Sequence, residues 1–280
     1  MSKPAICIQT DFGIHWGAPS SMHGVIYSLD PTVHVNDITH MIKKFDPWEA
    51  SYCLFYTMPT WPEGTIFVSV VDPGVGTSRK ACVALTGRGQ YIVTPDNGSL
   101  THVKALHGIV EIREIDEKVN RRPNSEKHNT FHGRDLFAYC AGKLAAGLIS
   151  FEEVGPAYPL EEIVCYPLPD SFIGQGQARG IITNADRHFG GISTNILIED
   201  FEMAGFREGD RVKVTIHRQD RLVFDQEVLY HRSFGFVDMG QPIVFNGLTG
   251  YMSMGLREAD LLEAYGLEAG PKWQIAFSKG

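Results

Sequence analysis

Two hydrophobic rhythms alternate along the first half of the chain. Short apolar or β-branched runs at Ala5–Gln9, Val33–Asn36, Gly64–Val71, Ala81–Leu85, Tyr91–Thr94 and Ile109–Ile115 predict strands. Between them, Met22–Leu29, Asp46–Met58 and Asp135–Ala146 predict helices. The first closes on Asp30-Pro31. The second opens with Asp46-Pro47, an N-cap followed by proline at the first helical position, and the third ends near Gly147. Strands separated by helices predict an α/β domain, with a mostly parallel sheet between helices. Ligands of such sheets sit beyond the carboxyl ends of the strands. Asp11 and Asp72 each follow a predicted strand directly, so both carboxylates are expected on one rim.

The rhythm changes after about residue 155. Pro156, Pro159, Pro167 and Pro169 interrupt residues 155–170, which read as a linker or domain edge. This gives an α/β domain over about 1–160, carrying the catalytic candidates, and a second domain over about 171–280. The second is strand-rich, with runs at Ala178–Asn184, Ile192–Ile198, Arg211–His217, Leu222–Leu229, Ile243–Asn246 and Lys272–Phe277 and one short helix near Arg257–Tyr265. Turns such as Glu208-Gly209-Asp210 separate the strands, which predicts a small β-barrel or sandwich.

Composition narrows the function classes. With 43% apolar residues in 280, the chain can build a substantial core, and a net charge of -8 argues against a general nucleic-acid surface. Lys43-Lys44 and Arg121-Arg122 are adjacent basic pairs and read as solvated loop positions. Cys7, Cys53, Cys82, Cys140 and Cys165 are scattered without paired spacing, as small buried hydrophobes are. No signal peptide and no membrane-spanning run is read, so the expected location is the cytoplasm, with no membrane or nucleic-acid partner.

The strongest chemical signal is Asp72-Pro73-Gly74-Val75-Gly76-Thr77-Ser78-Arg79. A carboxylate at a strand end is followed by a tight turn that can return Arg79 to it as a charge-assisted pair. A purely structural turn explains the same spacing. No Gly-Lys-Ser/Thr follows, so the glycines do not make a phosphate loop. His132, in Phe131-His132-Gly133-Arg134-Asp135, is a candidate acid–base or positioning group. It gains weight only if the fold brings it to Asp72 and Arg79. Asp11, in Thr10-Asp11-Phe12-Gly13, suits either a grip on two ribose hydroxyls or an Asx-type turn. The kinase-like appearance of that turn lacks every accompanying kinase motif. Pro95-Asp96-Asn97-Gly98 is a turn sequence. Asp186-Arg187-His188-Phe189-Gly190 is a loop between two strands, and Trp48 is an aromatic on a predicted helix.

Taken in order, Thr10–Gly13, Met22–Ile26, Asp37–His40, Val70–Arg79, Pro95–Leu100, Phe131–Asp135 and Asp186–Asn195 resemble the S-adenosylmethionine (SAM) hydroxide adenosyltransferases, relatives of fluorinase and chlorinase. The resemblance implies attack of water or hydroxide on C5′ of SAM, giving adenosine and L-methionine, with SAM as substrate and no metal or other cofactor. It maps the family's Asp–Arg–His set onto Asp72, Arg79 and His132, a set that the halide-using relatives lack. It assigns Asp11 to the ribose hydroxyls; Trp48, Thr130 and Phe131 to the sugar and sulfonium; Asp186 to the methionine ammonium; and Phe189 to the adenine. It also implies a homotrimer in which a neighbouring copy completes the pocket.

Three positions depart from the family pattern. Gly191 stands where an adenine-reading asparagine is expected, and Ser193 where the halide-using relatives carry an aromatic. Asn246-Gly247-Leu248-Thr249-Gly250-Tyr251 lacks the serine and arginine that grip the methionine carboxylate. Arg257 or backbone N–H groups are the alternatives for that role. Two rival readings are a metal-dependent hydrolase built on Asp11, Asp72, Asp96 and His132, and a SAM or adenosine sensor without turnover.

Overall fold

The computed structural model describes residues 3–279. The chain divides into two compact units, the first running to Tyr166 and the second starting at Pro167.

The first unit is α/β. Its elements are β1 (Ile6–Thr10), α1 (Ala18–Leu29), β2 (Val35–Thr39), α2 (Pro47–Thr57), β3 (Ile66–Val70), β4 (Ala81–Thr86), β5 (Tyr91–Pro95), α3 (Thr101–Leu106), β6 (Ile109–Glu114), α4 (Glu117–Asn120) and α5 (Tyr139–Ala145). The sheet order is β2-β1-β3-β5-β4-β6. Strands β2, β1, β3 and β5 run parallel, and β4 is antiparallel to both β5 and β6. Alternation along the central strands supplies two cores. Ile6, Ile8 and Val68 face Met22, Ile26 and Phe137 on one side, while Cys7 and Phe67 join Leu54, Met58 and Val103 on the other. Burial on both faces is why these strands read as continuous apolar runs.

The caps explain most of the boundaries. The Asp46 side chain accepts the Glu49 N–H, so α2 starts where its Asp-Pro signal places it. Helix α1 begins four residues before Met22, with Pro19 in its first turn. The helix expected from Asp135 starts earlier, as a π-helical turn over Gly133–Ala138 that leads into α5. Helices α3 and α4 were not expected from the sequence; they are short and lack a long apolar stripe.

Residues 155–166, read as linker, are bound into the first unit. The Tyr158 hydroxyl and the Val164 N–H both donate to Asp96, and the Tyr166 N–H donates to Thr101.

The second unit is a β-barrel. It contains β7 (Phe172–Gly174), β8 (Gln177–Asp186), β9 (Gly191–Leu197), α6 (Ile198–Met203), β10 (Arg211–Arg218), β11 (Arg221–Tyr230), β12 (Pro242–Asn246), β13 (Tyr251–Leu256), α7 (Leu261–Tyr265) and β14 (Trp273–Ser278). The order β14-β10-β11-β12-β13-β9-β8 closes through antiparallel pairing of β14 with β8, and β7 adds to β8. Closure leaves few free edges. Of the helix expected over Arg257–Tyr265, only Leu261–Tyr265 is helical, because Asp260 caps it by accepting the Glu263 N–H. Strand β13, with its Met-Ser-Met-Gly sequence, and the short β7 and α6 had no clear strand or helix signal.

Candidate active site

Strand β3 delivers Asp72 to the carboxyl edge of the sheet, and the Pro-Gly turn brings Arg79 back onto it. Arg79 Nε donates to both Asp72 oxygens at 3.0 Å, and Nη2 donates to Oδ2 at 2.5 Å. The two side chains are only 5% and 9% exposed, so the pair is largely desolvated and geometrically fixed. Gly76 makes the turn possible: its φ is +76°, and a Cβ there would lie 3.0 Å from the Asn129 carbonyl oxygen. The turn is thereby seated against the segment that carries Thr130, Phe131 and His132.

His132 completes the cluster. Arg79 Nη2 lies 3.0 Å from its Nδ1, and Arg121 Nη1 lies 3.4 Å from its Nε2. Burial first, and the Arg79 guanidinium second, push the His132 pKa down, which favours the neutral ring. A guanidinium has no acceptor. The Nδ1 lone pair therefore serves the shorter contact, to Arg79.

Asp11 lies on the same rim, after β1. Its Oδ2 accepts the Phe45 N–H at 2.9 Å. Burial raises its pKa, and the nearby Asp72 charge adds to the rise. A relay fixes the turn that carries it. Thr10 Oγ1 accepts the Phe12 N–H and lies 2.8 Å from His40 Nδ1; Asp37 Oδ1 then meets His40 Nε2 at 3.1 Å and His23 Nε2 at 2.7 Å. The His23 and Asp37–His40 motifs thus support the Asp11 turn.

Asp11, Asp72, Thr130, Phe131 and His132 line one cavity of about 320 Å³, with Phe12, Lys44 and Phe45 beside them. Phe12 meets Phe131 edge to face at 5.6 Å, and a Cβ on Gly133 would strike the Phe12 ring at 2.8 Å. Glycine at 133 lets the helix start approach the Asp11 turn this closely.

Trp48 is not among the lining residues. It is buried, with its ring 4.5 Å from His102 and 6.0 Å from Tyr166, and burial takes the His102 pKa down to about 4. Phe45, three residues earlier, lines the cavity instead. It has a φ of +65° and is 71% exposed. Its sequence signal was an apolar residue directly before an N-cap. Lys44 is an exposed loop residue, as expected, and also borders the cavity.

Arg121 needs a larger correction: its side chain is only 8% exposed and is engaged on every side. The available signal was its position four residues after Glu117, to which it pairs at 2.7 Å. Arg122 remains 47% exposed and lies 3.4 Å from buried Asp135.

Of the residues in the rival metal reading, Asp11, Asp72 and His132 line this cavity and Asp96 does not. Asp96 is committed to Tyr158 and Val164, and Asp72 to Arg79. Among the described residues, no group of three or more His, Cys, Asp or Glu side chains could hold a metal ion.

In the second unit, Asp186 caps its own loop. Its Oδ1 accepts the N–H groups of His188 and Phe189, and the Phe189 ring is 78% exposed. A Cβ on Gly191 would meet only the Met254 carbonyl oxygen, at an ordinary 3.4 Å. On Gly247 it would fall 2.3 Å from Ser253 Oγ. A serine at 247 is therefore incompatible with this hairpin. Ser253 fills that space and donates to Ser193, and Leu248 is 92% exposed at the tip.

With this geometry in view, the comparisons define the class. The N-terminal domain of the SAM hydroxide adenosyltransferases matches residues 6–155, and their C-terminal domain matches residues 180–274. The chain belongs to the SAM hydroxide adenosyltransferase family. It is 33% identical to an (R)-S-adenosyl-L-methionine hydrolase of Thermus thermophilus, over 93% of this chain and 95% of that one. It is 29% identical to a fluorinase of an Actinoplanes species, over 96% of each. An uncharacterized conserved protein from Thermotoga maritima shares the fold, with a TM-score of 0.86, 31% identity and coverage of 98% of this chain and all of that one. Among the described residues, no helix is long and apolar enough to cross a membrane.

Proposed function

We propose that this protein hydrolyses SAM by attack of water at C5′, giving adenosine and L-methionine. The observation that carries the reading is the desolvated Asp72–Arg79–His132 cluster, in which Arg79 bonds to both partners, on the wall of a cavity that also presents Asp11. The sulfonium is already a good neutral leaving group. The enzyme must hold water in line with the C5′–S bond and accept its proton. As the oxygen bonds to C5′, the C5′–S electron pair returns to sulfur as a thioether. The water proton passes to Asp72, whose carboxylate keeps an acceptor site beyond its bonds from Arg79, whereas the single Nδ1 lone pair of His132 is occupied by Arg79. Arg79 stabilises the developing hydroxide. In this reading Asp11 grips the ribose hydroxyls, while Thr130 and Phe131, with Phe45 in place of Trp48, border the sugar and sulfonium.

The similarity to fluorinases favours a second reading, with a halide as nucleophile. The carboxylates of Asp11 and Asp72 on the same wall oppose an anion there, which supports water over halide. The relatives named (R)-SAM hydrolases make the (R)-sulfonium epimer part of the proposed substrate range. No metal or other cofactor enters this chemistry. Asp186 would take the methionine ammonium and Phe189 would pack near adenine, supplied by a neighbouring copy in a cytoplasmic homotrimer. Supporting that assembly, Ile14, Trp16 and Met41 are exposed on the segments that follow β1 and β2.

Turnover of each SAM epimer in heavy-oxygen water tests the reaction, with and without added fluoride or chloride. Label in adenosine, and none in methionine, is expected. Recovery of intact SAM, or a halogenated nucleoside as the main product, would overturn it. Light scattering tests the trimer.

A further inference from the structure

Resting on the reading of the site just given, one buried cation is left without a role. Arg121 closes the end of α4, and its guanidinium gathers the loop that follows. Nε donates to Ser125 Oγ at 3.3 Å, and Nη2 donates to the Ser125 and His128 carbonyls at 3.1 and 2.9 Å and to Asn129 Oδ1 at 3.2 Å. Nη1 donates to Glu117 at 2.7 Å and faces His132 Nε2 at 3.4 Å. These bonds span the segment that Gly76 abuts and that presents Thr130 and Phe131 to the cavity.

We propose that Arg121 is a positioning residue of this site: it clamps the 121–132 loop and closes the second face of the His132 ring with a fixed cation, so that His132 works as an uncharged acceptor for Arg79. The charged and titratable groups facing His132 are Arg79 and Asp72 from the turn after β3, and Glu117 and Arg121 from α4 and its end. Both ring nitrogens have a guanidinium as neighbour, so an imidazolium would meet a like charge on either side. A neutral ring leaves Arg79 held between an acceptor and the Asp72 carboxylate. In this arrangement His132 does not collect the water proton. Burial comes first among the causes that lower its pKa, followed by Arg79; Glu117 opposes them, and Arg121 adds to them.

The test is a histidine ring titration by nitrogen-15 NMR on the full-length, substrate-free protein, alongside the pH profile of kcat/KM for SAM cleavage. In Arg121→Gln, the His132 titration is expected to move up by about one pH unit, the scale of a lost neighbouring charge. The acid limb of kcat/KM should move with it. Arg121→Lys keeps the charge and should restore the low titration. Glu117 is 43% exposed, so Glu117→Gln keeps the fold accessible should Arg121→Gln fail to fold. It removes the carboxylate and should move His132 further down. A His132 titration unmoved in folded Arg121→Gln, or unmoved in Glu117→Gln, would overturn the proposal. A wild type that leaves SAM intact while His132 still shifts as described would refute the reaction and leave the role of Arg121 standing. SAM cleavage with an unmoved His132 would do the reverse.

Discussion

The rim of the first unit and the loops of the second satisfy their polar groups in opposite ways. On the rim, the functional side chains bond to groups beyond their immediate sequence neighbours: Asp72 to Arg79 seven residues on, Arg79 to His132 on another segment, and Asp11 to the Phe45 backbone. In the second unit, Asp186 is satisfied by its own loop, and Phe189 and Leu248 stand exposed. The difference separates reaction from recognition. Orienting water requires preorganised, desolvated dipoles, whereas exposed apolar and self-capped groups gain partners only when something binds. Substitutions in the Asp72–Arg79–His132 cluster should therefore act on kcat, and those in the loops, like those of the ribose-gripping Asp11, on KM.

The largest expected effect is that of Arg79→Ala. Removing one preorganised donor should lower kcat for SAM cleavage by about 10²–10³, measured by chromatographic appearance of adenosine. The variant also strands the buried Asp72 carboxylate, so its fold must be checked by circular dichroism. Undiminished kcat in a folded variant would remove the rim from the chemistry and erase the contrast.

Asp11→Asn sharpens the comparison, because it sets binding against stability at one position. An asparagine oxygen can still accept the Phe45 N–H, but the charge offered to the ribose is lost. KM should rise about 10- to 100-fold, the scale of a hydrogen bond to a charged group. The pKa of Asp11 is raised by burial and then by Asp72. A raised carboxyl stabilises the fold most when protonated. That contribution is complete below the ordinary carboxylate value and is lost as pH rises through the folded-state value. At neutral pH the charge is therefore a burden on the fold, and Asp11→Asn should melt higher than the wild type there, with the advantage vanishing in acid. A lower melting temperature at pH 7 would show that Asp11 supports its turn more than burial penalises it.

How far the sequence could be read follows from how far each interaction reaches. The α/β order, the buried strands and the Asp46 cap are local patterns, and they were legible. So were Asp72 and Asp11 as rim residues, because strand ends are local too. The meeting of Arg79, His132 and Arg121 joins loops 53 and 11 residues apart, and spacing alone could not supply it. The family resemblance joined the first two but not the third. Trp48 and Phe45 show the remaining failure. Both flank the α2 N-cap, and helical position cannot tell which aromatic enters the core when the preceding residue takes a left-handed turn. Ser253 explains the altered hairpin at Gly247 only through cross-strand packing, which periodicity does not encode.

Gly76→Ala probes the turn without touching a polar group. A φ of +76° and an Asn129 oxygen 3.0 Å from the added methyl both oppose alanine. Destabilisation of about 1–3 kcal/mol is expected, read from urea midpoints, and a loss of turnover should accompany it as Arg79 and the 129–132 segment shift. Full stability would mean that the turn relaxes freely and that its glycine is not what seats Arg79.

Phe189→Ala should have the smallest effect on the fold and the most selective effect on function. A side chain 78% exposed contributes little packing, so unfolding free energy should stay within about 0.5 kcal/mol of the wild type. If adenine stacks on this ring when substrate binds, KM for SAM should rise while kcat is retained, because the Asp72–Arg79–His132 cluster is unaltered. The same variant should bind adenosine more weakly by calorimetry. A fall in kcat at unchanged KM would place Phe189 with the reacting centre and contradict the division drawn here. No change in either constant would leave adenine recognition to other groups, such as backbone beside Gly191, where the missing side chain leaves ordinary contact space.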